Sequence, residues 1–278
     1  MAFKHSETFP KASFQEAFFI SPETYIHPTA LVDPSVVLGN GVKIGPHCII
    51  TGNVQIGDRT MIHAYVSIGL PAQVVGLTKS LGTVTIGNDC QIREFAIIHA
   101  SRYEHGETRI GNNCYVMNHA HVGHDCVLED HVTLVNNVML AGHTHVEHHA
   151  IVMASAATHQ FSRIGAYTAL APFSGIRQDL PPYGMFTGQP ARFTGLNVVG
   201  LRRAGFSNAS IYALKRVAML FYRDKILLEP LKALITADPQ LVNEPLIQKF
   251  IEFIATSNRG VSRSCVTDAR DSSQQEND

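Results

Sequence analysis

Val116-Met117-Asn118-His119-Ala120-His121, Val122-Gly123-His124-Asp125-Cys126-Val127 and Leu128-Glu129-Asp130-His131-Val132-Thr133 follow one another without a break. Each block of six opens on a large aliphatic residue and carries a small or medium one four places later: Ala120, Cys126, Val132. The same step continues through Leu134, Leu140, Val146, Val152, Thr158, Ile164, Leu170 and Ile176. Backwards it runs through Ile110, Ile98, Ile92 and Ile86, then from Ile68 in sixes to Ile26. Every position in the series except Thr158 is Ile, Leu or Val, and the intervals 68 to 86 and 98 to 110 are multiples of six.

A period of six belongs neither to an amphipathic helix nor to a half-buried strand, whose periods are about 3.6 and 2. A three-sided prism satisfies it. Each hexapeptide makes one short strand and a turn, three close a coil of about 18 residues, and coils stack at about 4.8 Å through parallel ladders. The aliphatic residue fills the interior and the small one sits where the walls crowd. Glycine, as in Ile44-Gly45, Ile56-Gly57, Ile86-Gly87, Ile110-Gly111 and Ile164-Gly165, or asparagine is expected to supply the unusual turn dihedrals. Segments 69–85 and 99–109 leave the prism and rejoin it in phase.

The rest of the composition narrows the function. With 22 Lys and Arg against 23 Asp and Glu the formal net charge is −1, so no global basic field exists to hold nucleic acid. The apolar runs are shorter than the roughly 18 residues that a membrane span needs. Gln15 and Glu16 interrupt any signal-peptide core in the N-terminal stretch, so a cytoplasmic protein without stable membrane insertion is expected. The five cysteines form no CxxC pair, which argues against a zinc ribbon or a disulfide framework. Cys48, Cys90, Cys114 and Cys126 fall on the small interior position and read as buried apolar residues.

After Leu180-Pro181-Pro182 the repeat stops. Gly184 to Gly195 reads as a connector rich in glycine and proline. Ser207-Asn208 caps a helix running to Leu220, and 229–237 and 244–255 read as two more. The expected organisation is an extension over 1–24, a β-helix over 25–190, an α-helical unit over 191–260 and a disordered tail over 261–278.

Of the fifteen histidines, eleven lie between residues 99 and 159. His124 falls on an outward repeat position beside the Asp125 carboxylate, and one coil on stands Ala141-Gly142-His143. An imidazole oriented by a carboxylate suits a general base, and a nearby glycine amide suits an oxyanion donor. Metal ligation is the competing reading of the same histidines.

The repeat resembles the hexapeptide acyltransferase superfamily, and the particular motifs resemble the UDP-N-acetylglucosamine 3-O-acyltransferase family. They are Ile26-His27-Pro28-Thr29-Ala30, Ile92-Arg93-Glu94, His119 to Cys126, Leu140 to His143, Thr158-His159-Gln160-Phe161, Pro181-Pro182-Tyr183 and Gly200-Leu201-Arg202-Arg203. The resemblance implies a left-handed parallel β-helix followed by a small α-helical domain, a homotrimer, and no cofactor. It implies transfer of a 3-hydroxyacyl chain from acyl carrier protein to the sugar 3-hydroxyl of UDP-N-acetylglucosamine, the first step of lipid A biosynthesis. His124 is then the base, Asp125 its orienting partner and the Gly142 amide the oxyanion donor. His99, His121, His143, His159, Gln160, Gln73, Asn197 and Arg203 bind substrate, and Pro172 and Pro190 bound the acyl chain. Separately, the basic set Arg202, Arg203, Lys215, Arg216 and Arg223 reads either as a solvated helix face or, through Arg202, Lys215 and Arg216, as a docking surface for the acidic carrier. No metal is implied.

The sequence departs from the family's usual pattern where Gln-Asp-Leu-Lys would stand, which here is Gln73-Val74-Val75-Gly76. It departs again at Val199, for Glu, and at Ala204, for a second Arg. These changes leave a related sugar nucleotide as the alternative acceptor. Three further readings are a related N-acyltransferase, a zinc-dependent carbonic anhydrase built on His119, His121 and His124, and a non-enzymatic scaffold. The N-acyltransferase normally has a uridine-binding domain ahead of its β-helix, where this chain has about 24 residues.

Overall fold

The computed structural model describes residues 16–263. Between Tyr25 and Ile176 each repeat contributes a strand, most of them two residues long, and together with two strands beyond Ile176 they sort into sheets of ten, eight and seven. Partners lie one coil apart and run parallel: Ile44 faces Ile62, Val122 faces Leu140 and Leu128 faces Val146. The prism expected from the six-residue step is therefore a three-walled parallel β-helix.

Its interior is closed. From Ile44 to Ile176 the aliphatic series is buried, and the four cysteines are at most 1% exposed. Burial pushes the Cys48 thiol up to about 11 and the Cys126 thiol up to about 12, so these sulfurs stay protonated and inert.

The glycines that follow the aliphatic residues serve a different purpose from the one the sequence suggested. Gly45 and Gly57 do not have positive φ. A methyl on Gly57 would lie 2.7 Å from the Gly87 carbonyl carbon, and one on Gly45 would lie 2.9 Å from that of His63. Close approach of the next coil excludes a side chain there. The left-handed dihedrals are carried instead by residues with large side chains, among them His47, Tyr65, Phe95 and His119 at φ 58–62°. Their rings form a column with centroid spacings of 4.9, 5.0 and 4.8 Å. A left-handed residue costs about 1–2 kcal/mol. Contact with a ring above and below returns about 0.5–1.5 kcal/mol per pair, so stacking offsets much of the strain.

The prism ends differently from expectation. Gly184–Thr187 continues the ten-stranded sheet, and Arg192–Leu196 returns antiparallel to it, so the presumed connector is a β-hairpin. Four helices follow: α1 Val198–Arg203, α2 Asn208–Tyr222, α3 Leu228–Ala237 and α4 Pro245–Ala255. Ser207 caps α2 by accepting from the Ser210 amide at 3.0 Å. Buried charge holds the helices to the prism. Glu147 is paired with Arg163 at 3.2 Å and with Lys249 of α4 at 3.6 Å. The buried Asp179 carboxylate accepts from Ser257 at 2.7 Å and from the Arg163 amide at 2.8 Å.

Both ends also differ from the sequence expectation. Val261 and Ser262, expected in a disordered tail, are buried, and Val261 bridges to Asp179. The rest of that tail, from 264, lies outside the described residues, as does most of the N-terminal extension. Within that extension, Glu16–Ile20 forms a helical turn whose Phe18 is buried against His63 and Tyr25.

Candidate active site

The stacking of coils brings Val122–Asp125 beside Leu140–His143. His124 stands outside the prism interior, yet only 7% of it is exposed. Its Nδ1–H donates to Asp125 Oδ2 at 2.8 Å. A carboxylate only accepts, so this bond places the imidazole lone pair on Nε2. A methyl on Gly142 would lie 2.5–3.0 Å from the ring atoms Cε1, Nε2 and Nδ1. The ring therefore lies against Gly142, and only glycine leaves space for it. Among the described residues the Gly142 N–H has no acceptor. Gly123, one coil back, keeps the space at this amide open, since a methyl there would stand 2.9 Å from Gly142 N.

The second excursion encloses Asp125. Ser101 donates its hydroxyl to Oδ1, the Arg102 amide reaches Oδ2 at 3.4 Å, and Thr108 accepts from the Asp125 N–H at 2.8 Å. Asp125 itself has φ 61°, which turns its carboxylate back towards His124. Segment 99–109 is thus the scaffold of the carboxylate. Sequence reasoning missed Ser101, Arg102, Thr108 and Gly123, whose roles appear only once the loop rejoins the prism.

Three further histidines complete the cluster. His143 stacks on Phe161 at 4.3 Å and stands edge-on to His124 at 5.1 Å, with Nε2 3.8 Å from Asp125 Oδ2. His99 Nδ1 donates to the Pro71 carbonyl at 2.8 Å, which ties the first excursion to the site, and its ring meets His121 at 5.1 Å. Among the described residues the buried Nε2 atoms of His99, His121 and His143 have no hydrogen-bond partner. Burial lowers the pKa of all three rings, and the neighbouring histidines lower it further. They face the site as neutral imidazoles.

The remaining expected site residues are more scattered. His159 Nδ1 donates to the Gln160 carbonyl at 3.1 Å, and the guanidinium of Arg259 donates to the same oxygen at 2.8 Å. His159 lines a cavity of about 340 Å³ with Arg177, Gln189 and Pro190, whereas Pro172 is not among its lining residues. Asn197 is committed within the chain, accepting from Gly200 N at 3.1 Å as the cap of α1 and donating to Tyr167 O at 2.9 Å. Arg203 is exposed. Gln73 is exposed in the first excursion beside Val75, and a methyl on Gly76 there would meet nothing within 4 Å. On α2, Lys215 and Arg216 border a cavity of about 390 Å³ with Tyr212 and Met219, and Arg216 is paired with Asp238 at 2.8 Å. Arg202 donates to Asn208 at 3.2 Å.

The zinc reading built on His119, His121 and His124 is not supported by the geometry. His119 stacks on Phe95 in the column of another corner. Among the described residues the set whose donor atoms lie within 4.8 Å of one another is His124, Asp125 and His143.

Comparison with known proteins follows the same division. Residues 179–262 match the profile of the second domain of UDP-N-acetylglucosamine O-acyltransferases, and 35–69 and 107–142 match that of the bacterial transferase hexapeptide repeat. The chain is 36% identical over 257 residues to the acyl-[acyl-carrier-protein]–UDP-N-acetylglucosamine O-acyltransferase of Myxococcus xanthus, covering 86% of this chain and 99% of that one. It is 39% identical over 252 residues to the protein of the same name from Brucella anthropi, covering 84% and 90%. Among solved structures, the UDP-N-acetylglucosamine acyltransferase of Francisella novicida superposes with a TM-score of 0.77 at 31% identity, covering 88% of this chain and 96% of that one. The UDP-N-acetylglucosamine O-acyltransferase of Moraxella catarrhalis gives 0.77 at 35%, covering 86% and 99%.

The neutral histidines have a measurable consequence. Their folded pKa values lie below the ordinary 6.5, so an unfolded chain takes up protons below that pH before the folded chain does. Their contribution to stability is intact above pH 6.5 and is lost as the pH falls towards the folded values. The melting temperature is expected to drop between pH 7 and pH 5, and His121→Gln to flatten that drop. An identical slope in the variant would contradict this.

Proposed function

Since the chain belongs to the UDP-N-acetylglucosamine O-acyltransferase family and carries out its reaction, acyl transfer from acyl carrier protein to UDP-N-acetylglucosamine at the start of lipid A biosynthesis, we propose that His124 is the general base. The observation that carries this is the Nδ1–Asp125 bond, which leaves Nε2 as an acceptor lying over Gly142. In this reading Nε2 takes the proton of the sugar 3-hydroxyl as its oxygen attacks the thioester carbonyl of a 3-hydroxyacyl chain. Asp125 stabilises the imidazolium, and the Gly142 N–H donates to the developing oxyanion. Collapse of the tetrahedral intermediate breaks the C–S bond, and the carrier thiolate recovers the proton from His124.

The unpartnered Nε2 atoms of His99, His121 and His143 suit sugar hydroxyls, which can donate or accept. In this reading His159, Gln160, Gln73 and Arg203 serve the nucleotide and donor ends, Asn197 acts there through the start of α1 that it caps, and Pro190, with Pro172, limits the acyl chain. The coil takes the left hand that the family resemblance implies, with the division into prism and helical unit falling after Leu196. The helical unit serves the carrier in this reading, and the compartment is the cytoplasm. No helix of the described residues is long and apolar enough to cross a membrane.

A homotrimer, with sites in the clefts between subunits, is supported by the outer face of the eight-stranded sheet. There Leu31, Ile49 and Met139 are exposed in line with His121. Sedimentation velocity is expected to give a trimer, and a stable monomer would remove that part of the reading.

The first excursion departs from the resembled family. Val74, Val75 and Gly76 place no charge in a segment that carries Asp and Lys there, so other groups meet the charged end of the nucleotide in this reading. A mass-spectrometric transfer assay with UDP-N-acetylglucosamine and 3-hydroxyacyl carrier proteins tests both substrate and base. Wild-type protein is expected to give the acylated sugar nucleotide. His124→Ala is expected to lower kcat by about 10³-fold, with KM for the nucleotide within about threefold. A variant retaining more than a tenth of the activity would refute the base, and absence of product from wild-type protein would refute the acceptor.

Carrier docking has its own test. Charge reversal at both Lys215 and Arg216 is expected to raise KM for acyl carrier protein, with a smaller effect at high salt. An unchanged KM would remove the docking surface.

A further inference from the structure

The one break in the interior aliphatic series lies directly behind the candidate oxyanion donor. Along the prism, the residue after each interior aliphatic donates its N–H to a backbone carbonyl one coil on. Gly123 donates to Leu140 O at 3.0 Å, Val135 to Val152 O at 2.9 Å and His159 to Ile176 O at 3.1 Å. Ala141 departs from this rule. Its N–H donates at 3.0 Å to the side-chain oxygen of Thr158, and the strands here pair only through Met139 and Ala157.

Thr158 has a partner in Thr144, which is fully buried on the small interior position of the preceding coil. The two hydroxyl oxygens are 2.8 Å apart, and Thr144 Oγ1 lies 2.7 Å from the Ala141 carbonyl oxygen. Each hydroxyl has one proton, which fixes the direction of the bonds. Thr144 must donate to the carbonyl, so Thr158 must donate to Thr144, and Thr158 accepts from the Ala141 N–H. A closed ring results, running from Ala141 N–H through both hydroxyls to Ala141 C=O, with every group satisfied. Cys126 Sγ approaches the same carbonyl at 3.2 Å.

The Ala141 carbonyl and the Gly142 N–H belong to one planar trans peptide, in which they point in opposite directions. Holding the carbonyl into the prism therefore aims the N–H outward, beside the His124 ring. We propose that Thr158 and Thr144 are positioning residues that fix the orientation of the Gly142 amide through this ring, a role that rests on reading that amide as the oxyanion donor. Thr60, Ser162, Thr168 and Ser174 are also buried hydroxyls on small interior positions, but Thr158 alone replaces an aliphatic of the main series, a loss of apolar contact that a valine would avoid.

The test separates alignment from packing. Thr158→Val and Thr144→Val keep side-chain shape and open the same ring, so one folded variant of the two suffices. Each is expected to lower kcat about tenfold, part of the 10²–10³ that loss of an oxyanion donor costs, with KM for the nucleotide and the melting temperature little changed. Thr→Ser at the same position is expected to restore kcat, and the double valine variant to be no worse than the single ones. Wild-type kcat in the valine variants, with His124→Ala inactive, would overturn the ring alone. A loss that serine does not rescue would assign the threonines to packing and overturn it as well. Activity retained in His124→Ala would overturn the site reading and the ring with it.

Discussion

Everything in this protein depends on the ladder that seats each coil on the next. Backbone bonds of about 2.8–3.1 Å fix the vertical neighbour of every residue, so a side chain's position in the six-residue phase decides what it meets. Slipping the register by one residue would turn the interior aliphatics outward. That constraint explains why the two excursions rejoin in phase, why glycine stands where the next coil's backbone comes closest, and why His124 and His143 meet edge-on.

The same constraint concentrates chemistry on one corner. The prism alone supplies His124, Asp125, Gly142 and His143, while the excursions supply what orients them: Ser101 and the Arg102 amide on Asp125, and the Pro71 carbonyl on His99. His124 and His99 have their Nδ1 protons tied to an acceptor, which leaves Nε2 as the lone-pair atom. The tautomers are thus set by residues that need not touch substrate, and burial keeps the surrounding imidazoles neutral.

Much of the prism was legible in the sequence because its signal is one-dimensional. The phase of the aliphatics gives the coil, and the coil places Asp125 and Gly142 beside His124. What was not legible depends on groups that the phase does not relate. Ser101 and Thr108 lie on a loop whose return path no period describes. Gly184–Leu196 carries glycine and proline at the density of a connector, yet pairs antiparallel as a hairpin. The corner dihedrals fell to His47, Tyr65 and Phe95 because ring stacking stabilises what glycine would merely permit. Thr158 was visible as the exception to the series, but its meaning required the position of Thr144.

The central claim is that His124 Nε2 and the Gly142 amide flank the reacting carbon from two sides. The most direct measurement is a crystal structure of the protein with its acylated sugar nucleotide bound. The account predicts the acylated sugar oxygen within hydrogen-bonding distance of His124 Nε2, at about 2.6–3.2 Å, and the ester carbonyl oxygen directed at Gly142 N–H. An ester carbonyl turned away from Gly142, or a sugar oxygen out of reach of His124, would contradict it.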